Sequence, residues 1–280
     1  MQNFETITIR SARKEDEAEL ADLAYRAYYD RFFNDLVTAK AGASLKVYPE
    51  LIPDEEKDTG QSRSSFRDYW RKAMQNLDNP EKPFLCFVAE IKTPEGRKII
   101  GFRKGYALPL EDEEYRRYEN ENKKRALLRK KSEYRGIDVY NDLREIPLPP
   151  KEKIAGSSSL YIDPAYKRCG IGRRLVSRYA REVLKRGFSA MMTSCYIYND
   201  SQKFIRSVGG DYAIRCNIPC NYKKEDGTTD VCNIAGYMLL WSENNLKKIA
   251  YENYASRPPA KSGTVLINEV LSQKAASISL

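Results

Sequence analysis

The chain has 280 residues, 41% hydrophobic and 31% charged, the balance of a globular protein long enough to bury a substantial core in one enlarged domain or one domain with appendages. Its net charge of +9 favours anionic ligands, and its lack of any histidine excludes Ser-His-Asp and Cys-His catalysis, histidine-ligated metals and a histidine base. No apolar run approaches the ~20 residues of a membrane span and the start MQNFETITIR lacks a signal-peptide core, so a cytoplasmic protein with no membrane partner is expected.

The six cysteines, at 86, 169, 195, 216, 220 and 232, are scattered in the manner of reduced thiols. Cys216, Cys220 and Cys232 supply three ligands at most, so no metal is expected. Positive charge is interleaved with acid along most of the chain, which disfavours nucleic acid as a partner.

In chain order, Ile7 and Ile9 alternate with polar neighbours as a strand does, and Ser11 is placed to cap a helix beginning near 12–14. Leu20, Leu23, Ala24, Ala27 and Tyr28 mark one face of that helix. Residues 33–61, with Pro49, Pro53 and Gly60, read as a short helix and a long loop. A second helix follows over 62–77, with Phe66, Tyr69, Trp70 and Met74 on one side. Strands over 84–91 and 99–108, joined by the turn-rich 92–97, form an antiparallel meander.

Residues 111–131 are highly charged, and Tyr115, Tyr118, Leu127 and Leu128 give a helix there only a narrow apolar stripe. Pro147-Leu148-Pro149-Pro150 then forces an extended return. Leu160 and Ile162 alternate with Ser159 and Tyr161, Asp163-Pro164 stops that strand, and Gly170-Ile171-Gly172 opens a helix reaching Gly187 with Ile171, Leu175, Tyr179 and Val183 on one stripe. A helix N-terminus reached through glycines, with Arg173 and Arg174 beside it, suits a diphosphate. It is not a nucleotide-triphosphate loop, because no Gly-Lys-Ser/Thr follows, nor a dinucleotide fingerprint, because the third Gly is missing.

A strand over 189–198 comes next, then a short helix that Asn199 caps and Gly209-Gly210 end, then strands over 211–222 and 231–241 around the Asp226-Gly227 turn. Residues 242–280 carry a helix near 246–254, a Pro258-Pro259 break and a last amphipathic stretch near 265–271, expected to pack on the domain or on a second copy as a homodimer.

The order strand, Asp-Pro, basic loop, Gly-Ile-Gly, Arg-Arg-Leu resembles the acyl-coenzyme-A loop of the GNAT superfamily of N-acetyltransferases, here reading Lys167, Arg168, Cys169, Gly170, Ile171, Gly172. The stretch from Asn199 through Phe204 to Gly209-Gly210 resembles that family's second coenzyme-binding segment. The resemblance implies an α/β fold with a mixed, mostly antiparallel twisted sheet flanked by helices, spanning 1–241, with a helical insertion over 109–153 and a C-terminal helical extension over 242–280.

It also implies transfer of an acetyl group from acetyl-coenzyme A to an amine of a small molecule or protein. Leu160, Tyr161 and Ile162 would hold the pantetheine as an added strand. Lys167, Arg168, Cys169, Gly170, Ile171, Gly172 and Arg173 would hold the diphosphate, Asn199 the cofactor arm, and Lys203 or Arg206 the nucleotide phosphate. The family's usual Tyr acid falls on Arg206 or Ile205, so Tyr198, Tyr196 and Tyr212 are the candidate acids among twenty tyrosines. No spacing singles out a base; Glu145 and Asp142 in the insertion are the carboxylates to consider, and Cys195 is read as a packed core thiol. The helix over 62–77 would overhang the acceptor, so its aromatics either line that site or anchor the core. Two other functions compatible with the residues are a coenzyme-binding module without turnover and a basic nucleic-acid-binding protein.

Overall fold

The computed structural model describes residues 7–31, 63–77, 79–130, 144–156, 158–196, 201–223 and 229–251. Strand β1, Thr8–Ser11, leads into α1, Glu17–Arg31. Ser11 is the last strand residue and not the helix cap. The N-cap is Arg13, whose N–H the Asp16 side chain accepts at 2.7 Å from the third position, while Arg10 bonds both Asp16 oxygens and reaches Glu90 at 2.7 Å. Helix α2 is Arg63–Met74, shorter at each end than its sequence pattern suggests, and buries Trp70 and Met74 while Tyr69 stays 41% exposed.

Strands β2, Phe84–Thr93, and β3, Gly96–Tyr106, are longer than expected because the hairpin closes at Thr93 opposite Gly96, leaving only Pro94 and Glu95 in the turn. With β5, Ser158–Ile162, they form an antiparallel sheet in the order β1-β2-β3-β5. A second sheet has the order β4-β6-β8-β7: β4, Ile154–Ala155, runs parallel to β6, Ala190–Tyr196, and β8, Thr229–Trp241, lies antiparallel between β6 and β7, Tyr212–Lys223.

One core lies beneath both sheets. Helix α4, Ile171–Lys185, turns Ile171, Leu175, Tyr179 and Val183 onto Phe87 and Ala89 of one sheet and Met191 and Leu239 of the other. Helix α6, Glu243–Tyr251, buries Leu246, Ile249 and Ala250 in the same core. On the opposite side α1 and α2 cover the first sheet with Leu20, Leu23 and Trp70 over Val88 and Phe102. Helix α3, Asp112–Lys130, covers the second, its Tyr118 packing with Met192, Ile214 and Met238. The narrow apolar stripe of α3 therefore reduces to Tyr118 with Tyr115 beside it, and Leu127 is 60% exposed. Among the described residues no helix is long and apolar enough to cross a membrane.

Candidate functional site

The two sheets part at one place. Ile154 and Ala155 lie beside β6, opposite Ala190 and Met191, while β5, from Ser158, ladders among the described residues only with β3. From Met192 onward β6 is laddered only to β8. Past that point β5 and β6 belong to different sheets and share no ladder among the described residues, a parting between their facing edges that has the form of a V. Backbone donors and acceptors on both edges are left for something that enters as a strand does.

The loop at the open end of β5 is built to turn sharply. The Asp163 side chain accepts the Ala165 N–H at 3.0 Å, starting a 3-10 turn over Pro164–Tyr166, and its carboxylate meets Arg26 at 3.5 Å and Lys98 at 3.9 Å. Arg168 has φ 65 and Gly170 φ 74, so the chain passes twice through left-handed backbone before α4 begins at Ile171. Gly170 caps α4 without a side chain, and the first turn faces out of the loop with the positive end of the helix dipole. A Cβ on Gly170 would meet nothing within 4 Å, so the space before this turn is open. At Gly172 the reason for glycine differs: a Cβ there would lie 3.0 Å from the Phe204 ring and 3.5 Å from Leu160. Phe204 belongs to α5, Ser201–Ser207, so Gly172 lets the second segment pack onto the first.

The residues expected to bind coenzyme are therefore brought together in part. Leu160 and Ile162 turn into the α4 core, and Tyr161 lies on the other face, stacked on Phe102 with centroids 4.9 Å apart. Lys167 and Cys169 are half-buried, the Cys169 thiol meeting the Lys167 carbonyl at 3.5 Å, while Arg168 and Gly170 are exposed. Arg173 donates to the Ser207 carbonyl at 3.1 Å, Arg174 to the Ile7 carbonyl at 2.8 Å, and Arg206 to the Asp211 carbonyl at 2.8 Å. Lys203 is exposed on α5. The end of α5 is clamped by Asn245 of α6, which holds the Gly209 carbonyl at 3.2 Å, and by Trp241 at the end of β8, which holds the Val208 carbonyl at 2.8 Å.

Asn199 and Tyr198 lie outside the described residues, as does Asp142. The backbone of Tyr196 ends β6 opposite Gly236, and its side chain is also outside them. Tyr212 sits on β7, two strands from the V, and packs toward Tyr118 and Ile214. Glu145 is exposed in the return segment. Cys195 is buried, its thiol pushed up to about 12 by burial, which suits the packed core thiol expected of it. Among the described residues no three His, Cys, Asp or Glu side chains gather as a metal would require.

Sequence reasoning missed Lys104. On β3 it stands opposite Ser159 of β5, as Phe102 stands opposite Tyr161, and the four share the face under α2. Its amine hydrogen-bonds the Tyr69 hydroxyl, lies 3.8 Å from the Tyr69 ring centroid and 5.3 Å from that of Trp70, and is pushed down to about 8 by burial. The period-2 pattern puts Phe102, Lys104 and Tyr106 on one face, but a lysine in a strand reads as an edge charge until the covering helix is known.

The model of the acetyltransferase (GNAT) family matches residues 48–209 of the 280. Among solved structures, the ribosomal-protein-alanine N-acetyltransferase from Brucella melitensis is 15% identical, with 84% of this chain and 99% of that one covered and a TM-score of 0.44. A phosphinothricin acetyltransferase from Sinorhizobium meliloti in complex with acetyl-coenzyme A is 15% identical over 91% and 94% at a TM-score of 0.42. The PaiA N-acetyltransferase from Thermoplasma acidophilum in complex with coenzyme A is 13% identical over 85% and 99% at 0.41. No curated protein sequence matches the chain. The family match takes in β5, the glycine loop, α4 and α5 and covers more than half of the sequence: this chain belongs to the GNAT family of acetyltransferases.

Proposed function

We propose that the protein transfers an acetyl group from acetyl-coenzyme A to a primary amine of a small molecule or a protein by direct attack. The observation that carries this reading is the meeting of the V between β5 and β6 with the N-terminus of α4, which Gly170 caps without a side chain. N–H groups from Cys169 to Arg173 would receive the diphosphate, with Lys167 and Arg168 beside them, and the β5 edge from Leu160 to Ile162 would receive the pantetheine. With the Arg206 guanidinium bound to the Asp211 carbonyl, Lys203 is the better placed of the two for the nucleotide phosphate. Bound acetyl-coenzyme A supplies the thioester, and this chain's part is to hold it, polarise its carbonyl and move protons. The acceptor would approach from the face between α2 and α3, where Tyr161, Ser159 and Lys104 lie.

One observation favours binding without turnover: Ile205 is buried and Arg206 is tied to backbone, so neither supplies the acid that meets the thiolate. Tyr196, whose backbone ends β6, and Tyr198 are the acids this reading would do without.

Thermal unfolding with acetyl-coenzyme A, free coenzyme A and ATP tests the cradle. A ligand at about 100 times its Kd adds about 2.7 kcal/mol, a shift of several degrees. Both coenzyme forms are expected to raise Tm and ATP not to. Gly170→Asp, a residue that tolerates left-handed backbone, puts a carboxylate where the diphosphate would lie and is expected to abolish the shift. A panel of polyamines, amino acids and lysine peptides, read by loss of the thioester, then separates transfer from binding alone. No shift with any ligand would overturn both readings.

A further inference from the structure

We propose that Lys104 is the base that takes the proton from the acceptor amine, with Tyr69 holding it in place; this rests on the acetyl-transfer reading above. An acceptor amine arrives as an ammonium ion and cannot attack until it loses a proton. There is no histidine to take it. Among the described residues, Asp16 and Glu90 are engaged by Arg10, Asp163 by Arg26 and Lys98, Glu19 by the Ile99 N–H, and, on the covering helices, Glu17 and Asp68 by Arg71 and Asp22 by Arg67.

Lys104 is placed differently. It stands one strand in from the β5 edge, opposite Ser159, and no carboxylate among the described residues pairs with it. The groups around it are Tyr69 from α2, Cys86 from β2, Tyr106 on its own strand and Tyr161 from β5. Burial pushes the Tyr69 and Tyr161 phenols and the Cys86 thiol upward, so all stay neutral and none supplies an anion that would keep the amine charged. A half-buried amine lowered to about 8 is partly neutral at physiological pH, and a neutral amine beside a neutral phenol is a proton acceptor ready for use.

The step balances. The neutral Lys104 amine takes one proton from the acceptor's ammonium, directly or through a water, and becomes an ammonium itself. The acceptor's lone pair forms the N–C bond to the thioester carbonyl, the C–S bond breaks, and its electron pair leaves on the coenzyme sulfur. The second proton of the attacking nitrogen ends on that sulfur, and Lys104 returns its own to solvent.

The test uses the full chain and whichever amine of the panel is acetylated. The wild-type kcat/KM is expected to rise with pH through a midpoint near 8. Lys104→Met is expected to lose about 100-fold at pH 8 and with it this limb, while the Tm shift by acetyl-coenzyme A is kept. Lys104→Arg keeps the charge and a donor for Tyr69 but cannot act as a base, so it is expected to be as impaired as the Met variant. Should Lys104→Met fold poorly, Tyr69→Phe serves instead: it leaves the lysine but removes the hydroxyl that accepts from its amine, and is expected to move the midpoint downward. Activity within threefold of wild type in Lys104→Met, or retained in Lys104→Arg, or an unmoved midpoint in Tyr69→Phe, overturns the assignment and leaves acetyl transfer standing. A Tm shift with acetyl-coenzyme A but no amine acetylated overturns the transfer reading, and Lys104 as its base falls with it.

Discussion

Gly170 and Gly172 look alike in the sequence and do different things in the fold. Gly170 supplies a left-handed turn with open space before it, while Gly172 leaves room for the Phe204 ring. The spacing of the two glycines after Asp163-Pro164 was enough to read a loop and a helix N-terminus. The contact with Phe204, 32 residues away, had no local signature, because packing partners are set by how α4 and α5 meet and not by pattern. Gly172→Val puts two further methyl groups into a gap already 3.0 Å from that ring and is expected to cost about 1–3 kcal/mol in urea unfolding. Adding Phe204→Leu should return part of this, a coupling of about 0.5–3 kcal/mol in the double-mutant cycle. Additive losses would mean that the two side chains do not meet.

The insertion shows where reading an element by its pattern succeeds and stops. Its charge and sparse apolar residues gave helix α3 within one residue at each end, and its return through three prolines, Pro147, Pro149 and Pro150, was legible too. Arg125 was not legible, because in a run of alternating charges it looks like one more solvated side chain. In the structure it is 2% exposed, donating to the Ala213 carbonyl of β7 at 2.9 Å and the Arg144 carbonyl at 3.3 Å, with Glu121 at 3.1 Å. Asn122 adds a reciprocal pair with Ile146, accepting its N–H at 2.7 Å and donating to its carbonyl at 2.9 Å. Polar groups thus do for α3 what an apolar stripe does for α4. Arg125→Met keeps the volume but leaves two carbonyls without their donor, and is expected to cost about 2–3 kcal/mol by urea unfolding. Arg117→Met, which removes only an exposed pair with Glu113, should stay within about 0.5 kcal/mol. Equal effects would show that α3 is not docked through Arg125.

At the scale of the molecule, the strands and the flanking helices were legible from alternation and turns, but the division of those strands into two sheets was not. Ile154 and Ala155 ladder with β6 while Ser158–Ile162 ladder with β3, and no period in the sequence marks that change of partner. The titration of Lys104 offers a check on stability that needs no acceptor. Lys104 is lowered in the fold from its ordinary 10.5 to about 8. Between those values the unfolded chain holds a proton that the folded one has released, so stability should rise with pH across that window. The Tyr69 and Tyr161 phenols are raised in the fold, and the stability they contribute is present below 10 and lost as pH climbs beyond it, so they do not oppose the lysine within most of the window. The Tm of the wild type relative to Lys104→Met should therefore climb from pH 7.5 to about 10. A constant difference would mean that the amine titrates as an ordinary surface lysine, and the physical ground for its role as a base would be gone.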